Sequence, residues 1–160
     1  MFVRSLTPAD RDAVIALIGT IENFNEEERD VAIELIDGAL EPETPTGYRC
    51  QVVEDDGRVC GYLCWGRTPM TARTFDLYWV AVDRRLRSRG LGRALCLDLE
   101  ARVAAAGGGN IRIETSSKES YGKTLQFYLD LGYIVAARLA DFYDEGDELI
   151  TLYKQLPASR

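Results

Sequence analysis

The chain has 160 residues, of which 46% are hydrophobic and 28% charged, and its net charge is -7. This length and composition are typical of one soluble globular domain, which we expect to span residues 1–160. We expect a cytoplasmic location and no membrane association. No apolar run approaches the ~20 residues of a membrane span, and the first ten residues lack a signal-peptide hydrophobic region. The acidic balance argues against general nucleic-acid binding, which needs a broad basic surface.

The residue types present limit the chemistry that this chain can perform. It has no histidine, which excludes Ser–His and Cys–His dyads and histidine-containing zinc sites. Cys60 and Cys64 fall in a strand-like stretch, where residues four apart are separated by about 13 Å, too far for a disulfide. The four cysteines show no metal-ligand spacing, so we expect no metal. Proton transfer must use Asp, Glu, Tyr, Cys, Lys or water.

The first third of the chain predicts a strand followed by two helices. Residues 2–5 form a short strand, and Thr7 with Pro8 begins a helix over roughly 8–20. Asn25, followed three residues later by Glu28, resembles a capping box and begins a second helix. That helix ends before Pro42.

The rest of the chain alternates strands and helices. Asp56-Gly57 predicts a hairpin between two strands. The later elements are a strand over 75–82, a helix from near Leu91 to the glycines at 107–109, a strand over 110–115, a helix ending at Gly132, and two final strands joined by 141–147. The predicted order is β-α-α-β-β-β-α-β-α-β-β, an α/β domain on one mixed sheet.

The segment RRLRSRGLGRAL (84–95) lies between the third long strand and the following helix, and it contains five arginines and two glycines. A helix N-terminus offers unpaired N–H groups and partial positive charge to a phosphate. Gly90 and Gly92 allow close backbone approach and a positive φ. Arg87, Arg89 and Arg93 add charge that can engage phosphate oxygens. The segment therefore predicts a cradle for a pyrophosphate.

Two common cradles do not fit this segment. A P-loop requires Gly-Lys-Ser/Thr, whereas Arg93-Ala94 follows Gly92. A dinucleotide-binding turn would have a third glycine where Leu95 stands. The remaining pattern is Arg87-x-x-Gly90-x-Gly92. With a second motif, FYLDLGY (127–133), and the predicted element order, it resembles the GNAT superfamily of acetyl-CoA-dependent N-acetyltransferases over essentially the whole chain.

The resemblance implies a fold and a co-substrate. The fold is a central mixed, mostly antiparallel sheet of about seven strands flanked by about four helices. Acetyl-CoA is the acetyl donor, its pantetheine arm pairing with the strand before the loop and its pyrophosphate lying on the loop. Tyr121 and Thr124 stand where relatives carry an asparagine and a small residue near the arm. The implied cofactor-binding residues are Val80, Ala81, Val82, Arg87, Ser88, Arg89, Gly90, Leu91, Gly92, Arg93, Ala94, Tyr121 and Thr124.

The resemblance also implies an acid, the hydroxyl of Tyr128, for the leaving thiolate. The general base that removes the proton from the amine is either Asp76, Glu114 or a water molecule. Strand parity places Asp76 and Tyr78 on the same face as Val80.

The acceptor is expected to be a primary amine, small or amino-acid-like, attacking the thioester directly. Candidate acceptor contacts are Glu22, Glu26, Glu27 and Glu114. A protein N-terminus or lysine as acceptor, and a non-catalytic acyl-CoA sensor, are the alternatives. Asp141, Phe142 and Tyr143, in the segment joining the last two strands, could contact substrate or a second subunit, and a homodimer is compatible with the sequence.

Overall fold

The structure is a computed structural model that describes residues 1–22, 24–41, 47–86 and 89–157. The elements are β1 (Phe2–Ser5), α1 (Arg11–Gly19), α2 (Glu26–Leu40), β2 (Tyr48–Asp55), β3 (Arg58–Arg67), β4 (Thr74–Val82), α3 (Leu91–Ala105), β5 (Asn110–Ser116), α4 (Gly122–Asp130), β6 (Ile134–Asp144) and β7 (Asp147–Gln155). The predicted element order and α/β fold class are confirmed. No helix within the described ranges is long and apolar enough to span a bilayer.

The seven strands form one sheet in the order β1-β2-β3-β4-β5-β7-β6. Every neighbouring pair is antiparallel except β4 and β5, which are parallel. Apolar side chains of α3 and α4 pack on one face of the sheet, called here the α3 face. Side chains of α1 and α2 pack on the other, the α1 face, mainly over β2 and β3. The α1 face of β5, β7 and β6 therefore stays open.

Local signals in the sequence account for how the helices begin. The Asn25 side chain accepts a hydrogen bond from the Glu28 N–H, and the Glu28 carboxylate accepts one from the Asn25 N–H, both at 2.8 Å. This confirms the capping box. Ahead of α1, the buried Asp10 carboxylate accepts hydrogen bonds from Arg4 at 2.7 and 2.8 Å and from the Thr7 N–H at 2.9 Å. That cluster fastens the start of α1 to β1.

A β-bulge at Tyr78 changes which side chains of β4 lie on each face of the sheet, compared with the prediction. Cys64 pairs with Trp79 while Trp65 pairs with Leu77, which leaves Tyr78 as an extra residue. An extra residue reverses the alternation of side chains beyond it. Asp76 and Tyr78 consequently lie on the α1 face, whereas Val80 packs against the α3-face core. The parity prediction was wrong because it assumed an unbroken strand.

Two further expectations can be compared with the structure. Asp141, Phe142 and Tyr143 belong to β6 instead of a connecting loop, and the turn is reduced to Glu145-Gly146. Residues 140–143 form an irregular bulge of four residues opposite Glu148, since Leu139 pairs with Leu149 and the next pair is Asp144 with Asp147. All four cysteines are free and buried, as the spacing of Cys60 and Cys64 predicts for that pair.

Candidate active site

The site begins where β4 and β5 separate. The two strands pair in parallel only from Thr74 with Asn110 to Leu77 with Ile113. Beyond that point β4 continues along β3 as far as Val82, and β5 continues along β7 as far as Ser116. In the described residues, the edge of β4 over 78–82 that faces β5 thus has no strand partner. An open strand edge can hold an extended ligand through main-chain hydrogen bonds.

The N-terminus of α3 lies directly after this open edge. Gly90 precedes the helix with φ +80° and provides no side-chain cap. The N–H groups of Leu91, Gly92 and Arg93 have no intrahelical acceptor and are oriented to receive an anion. The Ala94 N–H, by contrast, donates to the Gly90 carbonyl at 2.9 Å, so it is already used within the helix.

The two glycines of the loop serve different purposes. Gly90 is required by its left-handed backbone, since a Cβ there would meet no other atom within 4 Å. Gly92 is required by packing, because a Cβ would lie 3.3 Å from the Phe127 ring and 3.7 Å from Val82. The two positions open a cleft of about 380 Å³. Its lining residues are Val82, Leu86, Gly90, Leu91, Gly92, Arg93, Phe127, Asp130 and Leu131.

Most described arginines of the loop already have acidic partners. Arg89 contacts Asp55 at 2.9 Å, Arg85 contacts Asp83 at 2.8 Å, and Arg84 contacts Glu22. Arg93 lines the cleft, and among the described residues it has no ionic partner. The predicted contacts at Arg87 and Ser88 lie outside the described residues.

Tyr128 lies on α4 within the α3-face core. Its ring packs against those of Phe127, at 5.2 Å between centroids, and Tyr133, at 5.8 Å. Burial raises the pKa of Tyr128 well above its usual value, and the neighbouring Cys96 adds to the shift. A phenol in this environment stays protonated at neutral pH, which suits a hydrogen-bond or proton donor and excludes a base.

Asp76, Arg112 and Glu114 form a charged row on the α1 face. Arg112 Nε lies 2.7 Å from Asp76 Oδ1, and the same guanidinium lies 3.3 Å from Glu114 Oε1. The hydrogen bond to Asp76 raises the pKa of Arg112. Only 6% of Asp76 is exposed, whereas the Glu114 side chain is 43% exposed. Asp76 is therefore a buried partner of Arg112, and Glu114 is the carboxylate open to water.

Groups from α2 and the last strands gather near Glu114. Burial raises the pKa of Tyr143, and the charges of Glu114, Asp147 and Glu28 raise it further. Burial likewise raises the pKa of Tyr121, with Glu28 and Asp147 adding to it. Three carboxylates and two phenols are thus close enough to interact electrostatically, and they define what we call the acidic cleft.

The acidic cleft contains a residue that was not among the predicted acceptor contacts, and the other candidates lie as follows. Glu28 was missed as a candidate acceptor contact because its capping role accounts for it from sequence alone. Tyr121, predicted beside the cofactor arm, interacts with Glu28 and Asp147, and neither Tyr121 nor Thr124 lines the cleft at Gly90. Glu22 pairs with Arg84, while Glu26 and Glu27 are exposed in the first turn of α2.

Comparison with known proteins identifies the family. Residues 46–135 match the family model described as an acetyltransferase (GNAT) domain. A crystal structure from Desulfovibrio desulfuricans, provisionally described as a GNAT-family acetyltransferase, has 36% identity and a TM-score of 0.91, with 96% of this chain and 97% of that chain covered. Comparison with curated proteins gives no match.

More distant structures share the fold. An aminoglycoside 6'-N-acetyltransferase complexed with coenzyme A has 17% identity and a TM-score of 0.76 over the full length of both chains. The ribosomal-protein-S18-alanine N-acetyltransferase from Escherichia coli has 19% identity and a TM-score of 0.77, with 99% and 95% of the two chains covered. From the family model and the Desulfovibrio structure together, this chain belongs to the GNAT family and is an acyltransferase.

Proposed function

We propose that this enzyme transfers the acetyl group of acetyl-CoA to the primary amine of a small cationic acceptor. The observation that carries the proposal is the separation of β4 from β5 after Leu77 and Ile113, next to the uncapped N-terminus of α3. An extended thioester arm fits the open strand edge, and a pyrophosphate fits the helix end. The structural neighbour solved as a coenzyme A complex supports this choice of donor.

The chain's residues fit the donor as follows. The main chain of Val80, Ala81 and Val82 binds the arm. The N–H groups from Gly90 to Arg93 and the Arg93 guanidinium bind the pyrophosphate. Arg89 can join them only by leaving Asp55, with which it forms an ion pair of 2.9 Å.

Acetyl transfer needs a neutral amine, yet an alkylamine has a pKa near ~10.4. We assign Glu114 as the base, acting through a water molecule, because it is the exposed carboxylate beside the strand opening. Arg112 holds Asp76 in place through an ion pair of 2.7 Å between Arg112 Nε and Asp76 Oδ1. A backbone N–H near Val80 or Ala81 stabilises the negative charge that develops on the carbonyl oxygen.

Tyr128 donates a hydrogen bond to the departing sulfur. Because burial raises its pKa and an ordinary thiol has a pKa near ~8.5, complete proton transfer from the phenol is uphill. We therefore infer that Tyr128 stabilises the thiolate mainly by hydrogen bonding.

The acidic cleft is the basis for a cationic acceptor. Glu28 and Asp147 act electrostatically on both Tyr121 and Tyr143, and Glu114 acts on Tyr143. Arg112 and Lys118 pair with Glu114 and Asp147, so the three carboxylates outnumber the cations beside them, and the excess negative charge attracts ammonium groups. One structural neighbour is named for an aminoglycoside and another for an alanine of ribosomal protein S18, so the shared fold accommodates both acceptor classes. A protein N-terminus or lysine is the alternative acceptor.

The test is release of free thiol from acetyl-CoA with a panel of polyamines, aminoglycosides, amino acids and short peptides. We expect turnover with small cationic amines. Turnover restricted to peptides would favour the alternative acceptor. Tight acetyl-CoA binding without thiol release from any acceptor would instead indicate an acyl-CoA sensor.

The assignment of the base has its own matched pair of variants. Glu114→Gln should lower kcat/KM by about 10²-fold or more and abolish the acidic limb of the pH–rate profile. Asp76→Asn should lower thermal stability but keep that limb. The reverse result would make Asp76 the base.

A further inference from the structure

Two of the four cysteines face each other across neighbouring strands. Cys50 of β2 pairs directly with Cys64 of β3 in the antiparallel register. Both side chains belong to the α1-face core, so they lie on the same side of the sheet. A side-chain hydrogen bond with Cys50 raises the pKa of Cys64 well above its usual value, and burial adds to the shift, so the two thiols are in contact. Neither residue has a role in the proposed acetyl transfer.

The backbone geometry of this pair is compatible with a disulfide. The Leu6 N–H donates to the Cys50 carbonyl at 3.0 Å, so the main-chain groups of Cys50 point toward β1 and away from β3. Cys50 and Cys64 are therefore a non-hydrogen-bonded pair of the antiparallel ladder, in which the Cα atoms lie about 4.5 Å apart. Disulfides span Cα separations of about 4.4 to 6.8 Å.

A surface cavity gives access to one thiol of the pair. The cavity has a volume of about 470 Å³, and Cys50 lies in its wall. The same wall includes three residues that pack against the α1-face core, Leu6, Ala39 and Tyr48. Cys50 is 6% exposed, whereas Cys64 is fully buried. A molecule as small as hydrogen peroxide can therefore reach Cys50 before it reaches Cys64.

The cavity also carries positive charge. Arg49 and Arg102 lie in its wall. Arg102 is paired with Asp98 at 2.6 Å. Arg49 forms no ion pair with any residue in the described ranges, and its guanidinium lies over the Trp65 ring, 5.1 Å from the centroid. An uncompensated guanidinium in the same wall as a thiol favours the thiolate, which is the form that reacts with oxidants.

We propose that Cys50 and Cys64 form a peroxide-reactive dithiol, in which hydrogen peroxide oxidises Cys50 and Cys64 then closes a disulfide with it. The Cys50 thiolate attacks one peroxide oxygen, the O–O bond breaks, and the hydroxide that leaves takes up the proton that Cys50 gave up. Cys50 is then a sulfenic acid. The Cys64 sulfur attacks the Cys50 sulfur, the S–O bond breaks, and the second hydroxide leaves with the Cys64 proton as water. The two thiols lose two electrons in total, and one peroxide is reduced to two waters.

The other two cysteines are not arranged in this way. Cys60 is the extra residue of a bulge in β3, so it has no residue directly opposite on β2. Its side chain belongs to the α3-face core, as does that of Cys96. Neither residue lines the cavity beside Cys50. Cys60 is therefore a matched control, because it lies on the same strand as Cys64 and is also buried.

The test is treatment of the folded full chain with excess hydrogen peroxide, followed by alkylation of the remaining thiols and mass mapping. Digestion with trypsin and chymotrypsin places Cys50, Cys60 and Cys64 on different peptides. We expect the chain to lose two of its four free thiols as a Cys50–Cys64 cross-link, which dithiothreitol reverses. A chain that is still alkylated at both Cys50 and Cys64, or a cross-link that involves Cys60 or Cys96, would overturn the proposal.

Single variants test the order of the two steps. In Cys64→Ala the sulfenic acid at Cys50 has no thiol to resolve it, so dimedone should label Cys50 after peroxide treatment. In Cys50→Ala the rate of thiol oxidation should fall by about tenfold or more, and Cys64 should stay unlabelled. Cys60→Ala should form the same disulfide as the unaltered chain.

Two outcomes of the variant series would contradict the assignment. They are labelling of Cys64 in Cys50→Ala at the rate seen for Cys50, and loss of the disulfide in Cys60→Ala. Thermal unfolding verifies that each variant is folded, and the peptide map of the unaltered chain is a test that needs no variant. None of these measurements depends on the acetyl-transfer activity.

Discussion

At the scale of single residues, the proposed role of the Tyr128 hydroxyl, hydrogen bonding to the departing thiolate, can be tested directly. Tyr128→Phe removes one oxygen from a buried ring and leaves the packing against Phe127 and Tyr133 in place. We expect kcat to fall by about 10²-fold or more, because the departing thiolate loses its donor. The affinity for acetyl-CoA should change little. Steady-state kinetics together with calorimetric titration of acetyl-CoA separates the two effects.

Tyr133→Phe is the control for this change, since Tyr133 is a neighbouring and equally buried tyrosine. It should keep nearly full turnover. The raised pKa of Tyr128 also predicts that the rate does not fall on the alkaline side below pH ~10, the ordinary value for a phenol. Equal losses in the two variants would show that Tyr128 acts only through packing.

The stability of the fold at acid pH depends on one buried carboxylate, that of Asp10. Its hydrogen bonds from Arg4 hold its pKa well below the usual range. A carboxyl whose pKa is lowered by folding stabilises the protein above its unfolded pKa of ~3.9 and loses that effect as the pH falls through the folded value. Asp10→Asn should therefore lower the free energy of unfolding by about 2 kcal/mol at pH 7, the usual size for lost hydrogen bonds to a charged group. The deficit should shrink below pH ~4.

Urea unfolding at a series of pH values measures this difference. The control is Asp12→Asn, because the Asp12 side chain is 99% exposed and lies 3.9 Å from Arg11. It should leave the midpoint nearly unchanged at every pH. A deficit for Asp10→Asn that stays constant down to pH ~3 would contradict the linkage to ionisation.

At the scale of elements, we propose that the start of α3 determines the affinity for acetyl-CoA. Gly90→Asp introduces a carboxylate at a helix N-terminus whose N–H groups await an anion. The carboxylate competes for those groups and repels the pyrophosphate, so acetyl-CoA affinity should fall by about tenfold or more. Gly90→Asn has nearly the same shape and also tolerates a positive φ. Only the charged variant should show the full loss; equal losses would assign the effect to backbone strain at 90.

Elements defined by local signals could be predicted from the sequence, whereas interruptions within strands could not. The Asn25–Glu28 capping box and the Asp56-Gly57 turn depend on residues a few positions apart. The bulge at Tyr78 depends on how β4 registers against Cys64 and Trp65 of β3, a contact that the β4 sequence does not encode. Because the bulge was not predicted, Asp76 was expected on the same face of the sheet as Val80, whereas it lies on the opposite face.

The acidic cleft was harder to predict for a related reason. Glu28, Glu114 and Asp147 come from α2, β5 and β7, and only the folded sheet brings them together. The pyrophosphate loop is contiguous, so its glycines and its position before a helix were readable from sequence. The proposed pyrophosphate site is therefore local in the sequence, whereas the proposed acceptor site is assembled from distant segments.

At the scale of the whole molecule, the arginine-rich loop is compatible with the negative net charge of the chain. The chain has 19 basic and 26 acidic residues. Three arginines of the loop form ion pairs with Glu22, Asp83 and Asp55. These pairs neutralise most of the loop's positive charge, so the loop does not create a broad basic surface. Nucleic-acid binding needs such a surface, and the chain's charge distribution favours one small anionic ligand at the loop and cations elsewhere.

This charge distribution predicts how salt affects turnover. An acceptor with several ammonium groups should be steered toward the acidic cleft by Glu28, Glu114 and Asp147. Raising the salt from about 0.02 to about 0.3 M shortens the Debye length to below ~10 Å and should lower kcat/KM for a polyamine several-fold. A monoamine should respond much less, and kcat should stay nearly constant for both, because screening acts on the encounter. Initial rates of thiol release across the salt series measure the two slopes. Equal slopes would mean that the acidic cleft does not receive the acceptor.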